Sequence, residues 1–364
     1  MKGLRKYLTP FAPDQSGAVS VLYELGGILI ICDAGGCAGN ICGFDEPRWA
    51  DHASAIFSAG LRDMDAIMGR DDRLVEKLAD AASKLEVNFA AVIGTPVPSV
   101  IATDYHGLKR MAERKVKMPI LTVDTTGMEL YDRGAEKAYE ELFRRFAEET
   151  LPVEKGRIGV LGVNPLDLSD RKAGEKLTEI LKREGWNQVD CYGMGAGLDR
   201  IASASAAEKN LVVSPSGLKT AQYLQKKFGT PFEVRNPLAA EDCRKWTEAG
   251  MDFTGKRILV VGQQVTSETI RQVLETMGSG PVTTATWFMK KEELSREGDI
   301  RLLEEDQFED MMKQGWFDMI IGDSDLWPMV PDTVETVDMP QFSISGKLAD
   351  GKYAVRPAAE GTRR

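Results

Sequence analysis

Apolar residues recur along this chain in two alternating rhythms. Short, nearly unbroken runs at 28–32, 89–94, 119–124, 157–161, 188–192, 210–213, 256–262, 282–288 and 318–321 have the length and composition of strands buried on both faces. Between them, apolar positions return every three or four residues with polar ones in between. That spacing predicts amphipathic helices over 71–85, 100–115, 135–149, 169–184 and 267–277, another carrying Leu198 and Ile201, and one ending at Phe228. Small and apolar residues after a Pro-rich turn also predict a helix from 17 to 25. Strand, loop and helix in repeated order predict an α/β protein with mainly parallel sheets covered on both faces. Breaks at Leu151-Pro152 and Lys155-Gly156, and again ahead of 256, divide the pattern into three tandem Rossmann-like units, 1–150, 151–254 and 255–364 with its C-terminal tail. Ligands in open α/β sheets bind beyond the carboxyl ends of the strands, so the loops 94–98, 162–167, 193–197, 214–217, 262–266 and 322–325 are expected to line clefts between the units.

The richest chemistry follows the first strand. Cys32, Cys37 and Cys42 are spaced Cys-x4-Cys-x4-Cys, with Gly35, Gly36, Gly39 and Gly43 among them. Glycines let a backbone bend sharply or approach a bulky group closely, and gathered thiolates suit soft metals, above all iron-sulfur. Packing alone accounts for a cysteine at the end of a buried strand, which fits Cys32, but less well for two cysteines in a Gly-rich turn. The spacing matches neither a zinc ribbon nor a ferredoxin run, a fourth ligand is missing locally, and zinc stays open beside iron-sulfur.

Composition narrows the partners. A length of 364 residues suffices for two or three domains, and five cysteines, three of them crowded, read as reduced thiols and not as a disulfide framework. A net charge of -10 argues against nucleic acid and favours a docking protein with a basic face. No secretory signal pattern is expected at the start, and no apolar run reaches the ~20 residues of a membrane span, so a soluble, cytoplasmic protein is expected. His52 and His106 are the only histidines, which leaves little for His-rich metal sites or a Ser-His-Asp hydrolase. Cys191 and Cys243 fall in predicted strand and helix and read as structural. The stretch 250–257 has the spacing of a phosphate-binding loop, but Arg257 replaces the metal-binding hydroxyl and the strand follows the loop, so it reads as a turn. Gly193-x-Gly195-x-Gly197 follows a strand and opens a helix, where its amides suit an anion, although a plain tight turn is the simpler reading.

Gly36-Cys37 after the apolar run, then Leu61-Arg62-Asp63-Met64-Asp65-Ala66-Ile67-Met68-Gly69, Val100-Ile101-Ala102-Thr103-Asp104, Val160-Leu161-Gly162-Val163-Asn164, Asn210-Leu211-Val212-Val213 and Phe228-Gly229-Thr230-Pro231-Phe232 follow one another in a familiar order. In that order the chain resembles the nitrogenase component 1 superfamily over most of its length. The resemblance puts Cys37 at the family's central cluster cysteine. The earlier family cysteine falls near Pro13 and Asp14 and the later one near Thr95 and Pro96, so Cys32 and Cys42 are implied substitutes, and Asp14 an implied oxygen ligand, as a related reductase uses an aspartate. Ser214 stands where nitrogenase holds its metal cofactor by cysteine, and no histidine occurs near 342–346.

The resemblance thus implies a nitrogenase-like oxidoreductase subunit and not a true nitrogenase. It would be a homodimer or pair with a sister subunit, and receive electrons from an ATP-dependent iron-sulfur reductase, ATP binding only to that partner. A cluster, 4Fe-4S by expectation, would pass them to a small substrate, with a tetrapyrrole-like molecule among the candidates. The alternative is a metal-cofactor assembly scaffold or binding protein on the same fold.

Overall fold

The computed structural model describes residues 5–345. Thirteen strands are present among them: β1 (Ile28–Ile31), β2 (Ala55–Ser58), β3 (Ala90–Ile93), β4 (Ile120–Val123), β5 (Glu154–Leu161), β6 (Gln188–Cys191), β7 (Ala207–Val212), β8 (Phe232–Val234), β9 (Ile258–Val261), β10 (Val282–Thr286), β11 (Ile300–Arg301), β12 (Met319–Gly322) and β13 (Glu335–Asp338). They form three all-parallel sheets, ordered β2-β1-β3-β4, β6-β5-β7-β8 and β11-β10-β9-β12-β13. In each sheet the winding direction reverses beside the first strand, at β1/β3, β5/β7 and β9/β12, and a crevice opens at such a reversal. The central strands β1, β3, β9 and β12 are buried along their whole length because helices cover both faces.

Two helices depart from the expected bounds for identifiable reasons. The expected helix over 100–115 is two helices, Pro96–Val100 and Tyr105–Val116, separated where Ala102 adopts a φ of 53°. The carboxylate of Asp104 caps the second by accepting from the Gly107 amide at 2.9 Å. The first helix runs Asp14–Leu22, three residues ahead of expectation, and every residue in it is buried.

That helix lies against Tyr131–Phe146, and the crossing depends on glycine on both sides. A methyl at Gly17 would stand 1.8 Å from the Tyr131 carbonyl oxygen, and one at Gly134 would stand 1.7 Å from that of Asp14. The apolar layer around this crossing continues from Leu29, Ile31 and Ile93 in the first sheet to Leu161 and Val212 in the second. The first helix therefore holds the cysteine-bearing sheet against the middle of the molecule.

Candidate functional site

Cys32 directly follows β1, and strand alternation decides where its thiol goes. Ile28, Ile30 and Cys32 share one face of the sheet and pack with Leu74, Leu78 and Leu108, while Leu29 and Ile31 face the other layer. Cys32 is buried, and burial pushes its thiol up to about 12, with Asp71 and Asp33 adding to the effect. Its carbonyl accepts from the Thr95 hydroxyl at 2.8 Å, which ties the ends of β1 and β3 together at the first reversal.

Gly35, with a φ of 122°, then turns the chain into a short helix, Gly36–Asn40, that runs straight into a π-helical turn, Ile41–Asp45. Asp33 fixes this segment: its carboxylate accepts from the Ala38 amide at 2.8 Å and from the Ser58 hydroxyl at 2.5 Å. At the far end the buried carboxylate of Asp45 accepts from Ser16 Oγ (2.7 Å), Asn40 Nδ2 (2.7 Å) and Ser345 Oγ (2.6 Å). The buried Arg48 guanidinium donates to Glu46 and to Glu24 (2.8 Å), and reaches the Gly193 carbonyl at 3.1 Å. The segment is thus held at both ends, with its middle half-buried or exposed apart from the buried Ile41.

Cys37 and Cys42 are half-buried in that middle. Burial raises the Cys37 thiol, Asp33 adds to this, and the neighbouring Thr95 hydroxyl opposes it. Cys42 is raised by burial and by Glu46. Cys37 packs on the layer opposite the one that holds Cys32. The three sequence-adjacent thiols therefore meet three different surroundings. Among the described residues no three His, Cys, Asp or Glu side chains are gathered to hold a metal ion.

Asp14 is spent within the protein. Its carboxylate accepts from the backbone amides of Gly127 (2.7 Å), Thr126 (2.8 Å) and Gln15 (3.0 Å), pinning the first helix to the loop after β4. Burial raises this carboxyl and the Thr126 and Gly127 amides oppose the shift. The residue that the resemblance implies as an oxygen ligand thus links two elements through its carboxylate.

The glycines of the turn behave unlike those of the helix crossing. Side chains added at Gly36, Gly39 and Gly43 would meet nothing within 4 Å. None of the three needs a positive φ, and glycine in a helix costs up to about 1 kcal/mol relative to alanine. Neither the packing nor the backbone of this chain requires them, and the turn presents a bare backbone beside Cys37.

The other expected loops divide. Asp167 and Thr266 border a cleft of 260 Å³ between the second and third sheets, with Lys176, Asn236, Trp246 and Gln341. The 193–197 run instead closes on the cysteine segment, where the Gly195 amide donates to the Glu24 carboxylate at 2.9 Å; the anion it holds is the protein's own. Pro215–Gly217 is buried. Ser214 is fully buried, its hydroxyl 2.8 Å from Asp167 and 2.7 Å from Ser216, and Asp167 also accepts from Tyr131 (2.8 Å) and Asn164 (2.7 Å). Residues 250–257 form the turn ahead of β9, with Arg257 paired to Asp318. Cys191 and Cys243 are buried.

Thr95, Asp33, Asp45 and Arg48, which position the turn, were not expected from the sequence as site residues. A signal existed for Asp33, a short acidic residue just ahead of a Gly-rich helix start. The others were less clearly marked, since apart from Asn40 and Glu46 their partners lie 24 to 300 positions away in the chain.

Comparison with known proteins agrees with this architecture. The sequence model of the family described as nitrogenase component 1 type oxidoreductase matches residues 15–277. A light-independent protochlorophyllide reductase chain from Pleurastrum terricola is 20% identical over 201 residues, 52% of this chain and 39% of that protein. The protein of the same name from Synechococcus sp. (strain JA-3-3Ab) is 20% identical over 190 residues, 49% of this chain and 37% of its own length. The matched region thus spans about two fifths of these curated relatives. A solved structure titled nitrogenase Cp1 at pH 6.5 superposes with a TM-score of 0.72 over 96% of this chain and 88% of that one, at 12% identity, a likeness of fold. No helix among the described residues is long and apolar enough to cross a membrane. The chain belongs to the nitrogenase component 1 type oxidoreductase family.

Proposed function

We propose that this chain is a subunit of a nitrogenase-like reductase in which Cys37, with Cys42, anchors an iron-sulfur cluster of the 4Fe-4S kind against a second subunit. The observation that carries this reading is the bare backbone at Gly36, Gly39 and Gly43 around a half-buried thiol at the first strand reversal. Thiol donors fit iron, and such a cluster would supply one-electron steps at a potential set by its surroundings. One chain does not close the coordination sphere, so the second subunit, a copy of this chain or a sister, contributes the remaining ligands. Cys32 takes no part because its thiol lies across the sheet. Asp33 holds the helix that carries Cys37, and Thr95 sets the polarity beside the thiol.

The segments that follow all four strands of the first sheet expose large apolar side chains: Phe44, Met64, Met68, Val100, Ile101 and Met128. Their exposure on the same edge as Cys37 supports a covering subunit there. In this reading residues 1–150 carry the cluster turn, while 151–254 and 255–364 supply the cleft. An ATP-dependent iron-sulfur reductase delivers the electrons. The 260 Å³ cleft is below the ~300–1,000 Å³ of most small-molecule pockets, so a tetrapyrrole-like substrate would need walls from the second subunit as well. A cofactor-assembly scaffold would need ligands where Ser214 stands, and the commitment of Ser214 to Asp167 and Ser216 favours the reductase.

Anaerobic purification tests the reading. The expected protein is brown, with iron and sulfide in equal amounts that C37A removes, and its spectrum changes when a cognate iron-sulfur ATPase, ATP and dithionite are added. Colourless protein after anaerobic reconstitution, or zinc in place of iron, refutes it. Release of a bound metal cofactor without any electron transfer selects the scaffold.

A further inference from the structure

Away from the cysteine turn, the first sheet carries an open groove of 440 Å³ between the helix Asp71–Lys84 and the edge strand β2. It exists because that helix packs on β1 and beside Tyr105–Val116, which leaves β2 uncovered on its outer side. Ile28 and Ile30 form the floor, Leu74 and Leu78 one wall, and the 40% exposed Phe57 the other. The volume falls within the ~300–1,000 Å³ of small-molecule sites, unlike the 260 Å³ cleft.

The polar groups of the groove are few and differ in their engagement. At one end Lys84 is paired with Asp80 at 2.7 Å. At the other, where β2 ends, the Lys77 ammonium donates to the Ala59 carbonyl at 2.6 Å, and no carboxylate among the described residues pairs with it. An ammonium has three donors, so Lys77 keeps hydrogen-bonding capacity at the mouth of an apolar trough. Lys77 and Lys84 are seven residues apart on one helix face, two turns along the rim.

We infer that this groove binds an aliphatic carboxylate, with the carboxylate on Lys77 and the chain laid along Phe57, Ile30, Leu78 and Ile28 toward Leu85. The charged end adjoins Ser58 and Ala59, where β2 ends. This assignment is independent of the cluster reading, since no groove residue is a proposed ligand.

Titration calorimetry of the full chain with decanoate tests it, with decylammonium and acetate as controls. Decanoate should bind at one saturable site, and neither control should. K77M, a rim change at a partly exposed position, should weaken binding roughly tenfold, the loss of one charge-assisted hydrogen bond. A81W should fill the trough and abolish binding; if that variant misfolds by circular dichroism, K77M alone decides. Equal affinity for decylammonium, or decanoate binding untouched by K77M or by folded A81W, overturns the assignment. So does a dimer in sedimentation, without decanoate, that A81W dissolves, because the groove then belongs to a protein contact.

Discussion

The carbonyl oxygen of Tyr131 lies 1.8 Å from where a side chain on Gly17 would begin. No rotamer relieves a clash with backbone, so the two helices would have to separate. G17A should therefore cost about 3 kcal/mol or more, read as a fall in urea midpoint with an unchanged slope. A midpoint within error of the parent would mean that the helices do not cross this closely.

The opposite outcome is expected at the turn. G39A places a methyl in open space and removes a helix-destabilising glycine, so the isolated chain should gain about 0.5–1 kcal/mol. Iron content and subunit association should fall in the same variant, because the methyl occupies the approach to Cys37. Stabilisation with full iron loading would remove the argument that these glycines serve something outside the chain.

The cysteine site was only partly legible in the sequence. Three thiols in a row read as one centre, yet Cys32 is in phase with Ile28 and Ile30 and falls on their face, a placement the strand rhythm already carried. Cys37 and Cys42 lie beyond the strand, in a helical segment to which that rhythm does not apply. C32V should accordingly keep its iron while C37A loses it. Alkylation of the metal-free protein with iodoacetamide should label Cys37 and Cys42 before Cys32, Cys191 and Cys243. Burial pushes each of the latter three thiols to about 12, leaving a thiolate fraction of only ~10⁻⁴ near pH 8. Early labelling of Cys32, mapped by mass spectrometry, would contradict its placement.

What the sequence hid of the fold is equally specific. All nine expected strands are present, and the four others, β2, β8, β11 and β13, are edge strands. Each is only two to four residues long and none is fully buried, so none has the continuous apolar run that marks a strand covered on both faces. The alternation of central strands and helices carried the α/β architecture, while the edges depend on pairing that only the assembled sheet supplies.

Asp132 makes stability depend on pH. It is buried, and burial raises its carboxyl to about 6; the charge of Asp167 adds to this, while the Met289 amide and the charge of Arg301 oppose it. A raised carboxyl means that the folded state holds the proton more tightly than the unfolded one. The penalty is absent below the unfolded value near 4 and fully present above about 6. D132N keeps an oxygen for the Met289 amide and removes the charge. Relative to the parent, it should gain roughly 3 kcal/mol between about pH 4 and about pH 8 in urea unfolding. A difference that does not change with pH would show that Asp132 titrates normally.

Asp14 separates a strut from a ligand. Three backbone amides converge on its carboxylate from two elements, and an amide in its place would turn one NH₂ toward those donors. D14N leaves at least one buried N–H without an acceptor and should cost about 1–3 kcal/mol. Burial already raises the carboxyl of Asp14, so loss of the charge itself relieves part of that cost and the lower half of the range is expected. Iron bound per folded chain should not change, because the carboxylate is engaged between the first helix and the loop after β4. The decisive comparison is iron against folded fraction at a temperature where both proteins remain folded. Iron falling in proportion to unfolding fits the strut, whereas iron lost from fully folded D14N would return Asp14 to the ligand set that the family resemblance implies.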